Sequence, residues 1–100
     1  MSKLGNKKVL RIFAKHLPYD GHLGEVVEDM KQMGSPTINV VDYRGDYFAI
    51  EGSHRLAAAH HLGLVPKINV LDQDRLDPNG EEYLDKIRTW LPSYAWLVNE

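Results

Sequence analysis

Apolar and polar residues follow two different periods in the first third of the chain. Residues 8–14 (KVLRIFA) are rich in β-branched and bulky apolar side chains and too few for a buried helix, so they predict a first strand. From Leu23 to Met33, apolar residues recur at steps of three and four with charged residues between them, which is typical of an amphipathic helix. Gly34 and Pro36 then predict its end.

The middle of the chain predicts a β-hairpin followed by a helix and a further strand. Residues 37–43 and 46–52 are two β-rich runs, and only Arg44 and Gly45 separate them. Residues 67–71 (KINVL) predict a fourth strand, and because it follows a strand and a helix it should lie beside an earlier strand. The expected fold class is α/β or α+β.

The helix before the fourth strand is expected to run from His54 to Leu62. It is rich in alanine, whose small side chain allows close packing on a sheet, and Gly63 stands at its end. Ser53 is placed as its N-cap. We therefore expect residues 52–55 to form an exposed turn between a strand and a helix N-terminus.

The C-terminal part predicts a third helix and a packed tail. After a polar stretch, apolar residues return at helical spacing at Leu84, Ile87, Trp90 and Leu91. Pro92 is the expected end of this helix. Residues 93–100 are too apolar for a free terminus, so Trp96 and Leu97 should pack on the domain, on a second copy of the chain or on a protein partner.

Length and composition favour one domain over residues 1–100, with a core at about 8–72 and a C-terminal helix and tail at about 79–100. The hydrophobic fraction of 43% can supply one core, and the lack of cysteine excludes disulfides and thiolate chemistry. No apolar run approaches the roughly 20 residues of a membrane span, and the N-terminus lacks the features of a signal peptide. We expect a cytoplasmic protein without a membrane partner.

The charge balance disfavours DNA as a partner of the isolated domain. Twelve basic and fourteen acidic residues give a formal charge of −2, whereas DNA-binding domains usually carry a basic excess. The alternative rests on residues 3–15, of which five are Lys or Arg, because a local basic face can exist on a neutral protein.

The densest candidate for chemistry is the run from Glu51 to Arg55. Gly52 and Ser53 lie where a strand ends and a helix starts, so unpaired N–H groups and the positive end of the helix dipole converge there. Ser53 and His54 can donate hydrogen bonds, and the Arg55 guanidinium suits phosphate oxygens. In the alternative interpretation, Ser53 only caps the helix and Arg55 pairs with Glu51.

Two further groups have competing interpretations. Glu51 is a candidate general base or magnesium ligand, although an acid at a strand end more often pairs with an arginine or caps an N–H group. His60 and His61 are adjacent and lie six and seven positions after His54, whereas helical metal ligands favour i, i+4 spacing. We therefore predict no metal site on protein side chains alone.

Residues 38–71 resemble the ParB/sulfiredoxin-like fold in the order of their motifs. They contain the turn Gly-Ser-His-Arg at 52–55, an alanine-rich helix ending in Leu-Gly, and the strand VPKINVL. The preceding amphipathic helix and its Gly and Pro also match, so the resemblance covers about residues 8–72. It implies a small mixed sheet with flanking helices.

The resemblance also implies a function for the turn. In that family the turn binds nucleotide phosphates: CTP in chromosome-partition proteins, and ATP in sulfiredoxins and free-serine kinases. By position, Gly52, Ser53, His54 and Arg55 become the nucleotide-binding residues, with ATP, ADP or CTP as ligand and Mg²⁺ as its accompanying ion. NTP hydrolysis or phosphotransfer would then be the attached chemistry.

Two departures from the family narrow this expectation. Sulfiredoxins carry a cysteine immediately before His-Arg, and Ser53 stands there instead, which argues against sulfinic acid reduction. Partition proteins follow this domain with a helix-turn-helix region, whereas only one further helix is predicted here. The alternative function is a non-catalytic regulatory or DNA-associated ParB-like binding module.

Overall fold

A computed structural model describes residues 7–18, 20–72, 78–87 and 90–99, which form a five-stranded mixed sheet and three helices. The strands are β1 (Lys7–Phe13), β2 (Thr37–Tyr43), β3 (Asp46–Ala49), β4 (Lys67–Leu71) and β5 (Ser93–Asn99). The helices are α1 (Asp20–Met33), α2 (Ser53–Leu62) and α3 (Pro78–Ile87). The expected mixed α and β class is confirmed, and none of these helices is long and apolar enough to cross a bilayer.

The sheet order is β4-β2-β3-β1-β5. β1 runs parallel to β3, with Ile12 opposite Tyr47 and Phe13 opposite Phe48, and β4 runs parallel to β2. β2 is antiparallel to β3, and β5 is antiparallel to β1. Because β1 and β3 point the same way, both end at one edge of the sheet, and β2 begins at that edge. Three connections of the chain therefore meet there.

The predicted β1, hairpin and β4 are confirmed, and α1 begins three residues earlier than Leu23. The hairpin turn has positive φ at both central residues, 53° at Arg44 and 83° at Gly45. Turns of this kind match the right-handed twist of the two strands that they join. The Arg44 guanidinium also reaches Asp85 of α3 at 2.7 Å, an exposed ion pair that adds little stability.

Helices α1 and α2 cover one face of the sheet and form its main core. The buried residues of this core are Ile12, Ala14, Met30, Ile38, Val40, Ala49, Leu56, Ala58, Ala59 and Trp96. Ala58 and Ala59 are fully buried, as is Leu56 beside them. The α2 backbone lies closest to α1 and, within the sheet, to β5, which its small alanine side chains allow.

The opposite face carries a smaller cluster that α3 helps to cover. Val41, Tyr43 and Phe48 are buried there, and Leu84 and Leu91 pack against them. The third helix is confirmed, but its predicted end at Pro92 is wrong, because α3 ends at Ile87. Trp90, which helical spacing assigned to α3, lies outside it with 82% of its surface exposed.

The apolar tail is a strand, which the sequence interpretation missed. β5 pairs with β1 along its whole length, from Ser93 opposite Phe13 to Asn99 opposite Lys7. Trp96 packs into the main core, as expected, whereas Leu97 does not pack on the domain and is 71% exposed in the single chain. Successive side chains of a strand point to opposite faces, so these two neighbours cannot both be buried on one face.

The close packing of α2 can be tested by placing a leucine at a buried alanine and, separately, at an exposed alanine. Ala58→Leu should lower the free energy of unfolding by about 1–3 kcal/mol, because the extra methyl groups overpack a filled core. Ala95→Leu is the matched control on the exposed face of β5 and should change stability by less than about 0.5 kcal/mol. Urea unfolding measures both, and equal stabilities would contradict the packing described.

Candidate functional site

The junction between β3 and α2 is built on Gly52. Its backbone is left-handed, with φ 89° and ψ 29°, and its carbonyl accepts the first helical hydrogen bond, from the Leu56 N–H at 2.9 Å. Gly52 is therefore the N-cap of α2, and the prediction of Ser53 as N-cap is wrong. A glycine reaches this conformation without steric penalty, whereas a serine there would be strained.

Ser53 is instead the first residue of α2 and is buried, with 4% of its surface exposed. The expected strand-to-helix junction is confirmed, but the expected exposure is not, since Gly52, His54 and Arg55 are only partly exposed. As a glycine, the cap residue offers no side-chain acceptor to the N–H groups of the first turn of α2.

The Arg55 side chain folds back over Gly52. A Cβ added at Gly52 would lie 3.3 Å from Arg55 Nη2, 3.4 Å from Arg55 Nε and 3.4 Å from Ile38 Cδ1. Arg55 Nη1 donates a hydrogen bond to the Thr37 carbonyl oxygen at 3.2 Å. The missing side chain of Gly52 therefore leaves room for the guanidinium, and the start of β2 holds it.

The alternative pairing of Arg55 with Glu51 does not occur among the described residues: Glu51 is exposed, and no ion pair joins the two side chains. Within the same residues, Arg55 Nε and Nη2 make no hydrogen bond to protein. The guanidinium is thus anchored through one nitrogen and retains donors on the other two.

Arg55 and the start of α2 form one wall of a cleft of about 810 Å³. The other walls come from α1, from the segment after β1, and from the turn between α1 and β2. Its charged and titratable lining residues are Lys15, His16, His22, Asp29, Glu51, His54 and Arg55. Val26, Met30 and Met33 add an apolar surface on the α1 side. Each predicted residue from Glu51 to Arg55 lines this cleft.

Three histidines from separate segments meet inside the cleft. The ring centroid of His54 lies 4.7 Å from that of His22 and 5.7 Å from that of His16, both in edge-on geometry. His16 Nδ1 donates to the Leu17 carbonyl oxygen at 2.9 Å, which fixes the proton on that nitrogen. Burial lowers the pKa of His54, and the neighbouring His22 and His16 lower it further.

Sequence reasoning missed Lys15, His16 and His22 as site residues. Their positions directly after β1 and at the start of α1 could have indicated the site, because residues that follow parallel neighbouring strands meet at one sheet edge. That signal requires the parallel pairing of β1 with β3, which the sequence pattern does not reveal.

The other two histidines lie elsewhere. His60 is exposed and its ring contacts Tyr94 and Trp96, with centroids at 5.5 and 5.8 Å, and His61 is also exposed. Within the described part of the chain, no group of three His, Asp or Glu side chains has the arrangement that holds a metal ion.

The contact between Gly52 and Arg55 can be separated from the cost of positive φ. Gly45→Ala should lower the free energy of unfolding by about 1 kcal/mol, since Gly45 has φ 83° and open space around its Cα. Gly52→Ala should lower it further, because its methyl group also displaces Arg55 and Ile38. When Arg55 is also replaced by alanine, the extra stability loss of Gly52→Ala over Gly45→Ala should shrink. If urea unfolding shows the same extra loss with and without Arg55, the Arg55 side chain does not contact Gly52.

The histidine cluster predicts acid sensitivity. The pKa of His54 is lowered from 6.5 in the folded chain, so below about pH 6.5 the unfolded chain binds the proton more readily. Stability from neutral His54 is fully present above that pH and is lost as the pH falls. His54→Gln should flatten the acid side of a stability profile between about pH 5 and pH 8, and His61→Gln should not. Parallel profiles for wild type and His54→Gln would contradict this.

No known family model matches the chain, and no curated protein or solved structure is significantly similar to it. Its function must therefore be argued from the residues and geometry of the cleft.

Proposed function

We propose that the cleft binds the phosphate groups of a nucleotide and that the domain is of the ParB/sulfiredoxin-like type. The observation that carries this proposal is the convergence of Lys15, Arg55 and three histidines on the start of α2, where the glycine cap offers no side-chain acceptor. Helix N-termini favour anions through their free N–H groups and dipole, and the guanidinium is well suited to phosphate oxygens.

The size and lining of the cleft favour a nucleotide over a bare phosphate. Its volume of about 810 Å³ falls within the range of small-molecule sites. Its lining combines basic groups with the apolar side chains of Val26, Met30 and Met33, which offer contact to a base or sugar. A nucleotide likewise combines charged phosphates with a less polar base.

The order of elements supports the proposed fold type. Strand β1, helix α1, the β2–β3 hairpin, helix α2 and strand β4 follow one another as the resemblance implies, with Gly-Ser-His-Arg at the hairpin-to-helix junction. The chain has no cysteine, so thiol chemistry is not part of the proposal.

The proposed chemistry is magnesium-dependent hydrolysis or phosphoryl transfer. Asp29 and Glu51 are the described carboxylates that line the cleft, one on α1 and one beside Gly52. Mg²⁺ is commonly held by one or two carboxylates together with substrate phosphates. Asp29 and Glu51 could therefore contribute to a magnesium site that the phosphates of the nucleotide complete. Glu51 is the candidate general base, since it is exposed next to the proposed phosphate position.

Calorimetric titration of the full chain with ATP, ADP and CTP, with and without Mg²⁺, tests the proposal. Arg55→Ala should weaken binding by about 1.5–3 kcal/mol, the usual value of a hydrogen bond to a charged group. Arg44→Ala is the matched control, because Arg44 lies on the hairpin turn and pairs with Asp85. It should bind as the wild type does.

Three outcomes are informative. The proposal is wrong if wild-type protein binds none of these nucleotides, and Arg55 is only structural if its loss leaves affinity unchanged. Binding without magnesium-dependent turnover would assign the domain to the non-catalytic alternative. A circular dichroism spectrum of Arg55→Ala should match the wild type, since the side chain makes one described hydrogen bond to the backbone of β2.

A further inference from the structure

The histidine cluster is formed by residues from three different segments of the chain. His16 follows β1, His22 lies in the first turn of α1, and His54 is the second residue of α2. His22 is exposed and His54 is only partly exposed, so ligands can reach both. The rings of His16 and His22 both contact that of His54, so the three imidazole groups form one cluster in the cleft.

Several basic groups of the cleft lie around His54, and its two histidine neighbours oppose its protonation when the cleft holds no anion. A protonated His54 would face His16 and Lys15 from the β1 side, His22 from α1, and Arg55 from its own helix. The opposing acids are Asp29 and Glu51, which line the same cleft, while Glu25 lies 3.8 Å from His22. A polyphosphate would bring several negative charges to the cleft in addition to those of Asp29 and Glu51.

We propose that His16, His22 and His54 bind the phosphate chain of a nucleoside di- or triphosphate and take up protons as it binds. This inference rests on the proposed function and adds three residues and a pH dependence to it. Affinity for the polyphosphate then increases as pH falls, because each proton bound on the histidines adds a charge-assisted hydrogen bond. A monophosphate carries less negative charge, so its affinity should increase less as the pH falls.

The lowered pKa of His54 agrees with this arrangement. Burial and its two histidine neighbours oppose the charged ring in the ligand-free protein, and a nearby anion reverses the effect of the neighbours. The same group is thus neutral in the ligand-free cleft near neutral pH and becomes a cation beside phosphate.

The test is calorimetry of the full chain with tripolyphosphate in the presence of EDTA, in two buffers that differ in ionisation enthalpy. The dependence of heat on buffer gives the protons taken up. Wild type should take up more protons than His22→Gln or His16→Gln, and His61→Gln, outside the cleft, should match the wild type. The proton equilibrium of the probe is common to all four proteins and cancels in the comparison.

Affinity should fall by about tenfold for each unit by which the pH rises, per proton taken up on binding. In the ligand-free protein, NMR titration of the His54 ring should show its pKa rising in His22→Gln, because one repelling neighbour is gone. Equal proton uptake in wild type and both cleft variants would overturn this inference alone. Absence of tripolyphosphate binding at every pH would overturn it together with the proposed phosphate site.

Discussion

The parallel pairing of β1 with β3 is the constraint on which the cleft depends. Two residue pairs define it, and the rings of Phe13 and Phe48 stack across it with centroids 4.9 Å apart. Since the two strands run in the same direction, the segment after β1 and the start of α2 emerge side by side. If β1 ran antiparallel to β3, Lys15 and His16 would lie at the opposite edge of the sheet from Arg55.

Local patterns in the sequence predict most of the elements because their causes are local. The β2–β3 hairpin follows from two β-rich runs around Arg44 and Gly45, and α2 follows from its alanines and Gly63. The identity of the α2 cap could not be predicted in this way. Serine is normally the better cap, but here Gly52 takes the left-handed conformation and Ser53 is buried in the first turn.

The C-terminal strand shows a different limit of prediction from sequence patterns. In β5 the inward residues Tyr94 and Trp96 alternate with Ala95 and Leu97, which are exposed although apolar. Alternation between apolar and polar residues is the usual sign of a strand, and it disappears when both faces carry apolar residues. The histidine cluster could not be predicted either, because its members are distant in sequence and only the sheet order brings them together.

The pairing of β5 with β1 has a consequence for the order of folding. The residue pairs of this ladder are more than 79 positions apart in sequence, and the Ala14 N–H, directly before Lys15, donates to the Pro92 carbonyl oxygen at 2.7 Å. Closing so long a loop carries a large entropic cost and slows folding, whereas the hairpin and α2 require only near neighbours. The β1–β5 ladder should thus form after the hairpin and α2, when residues 93–99 dock against β1.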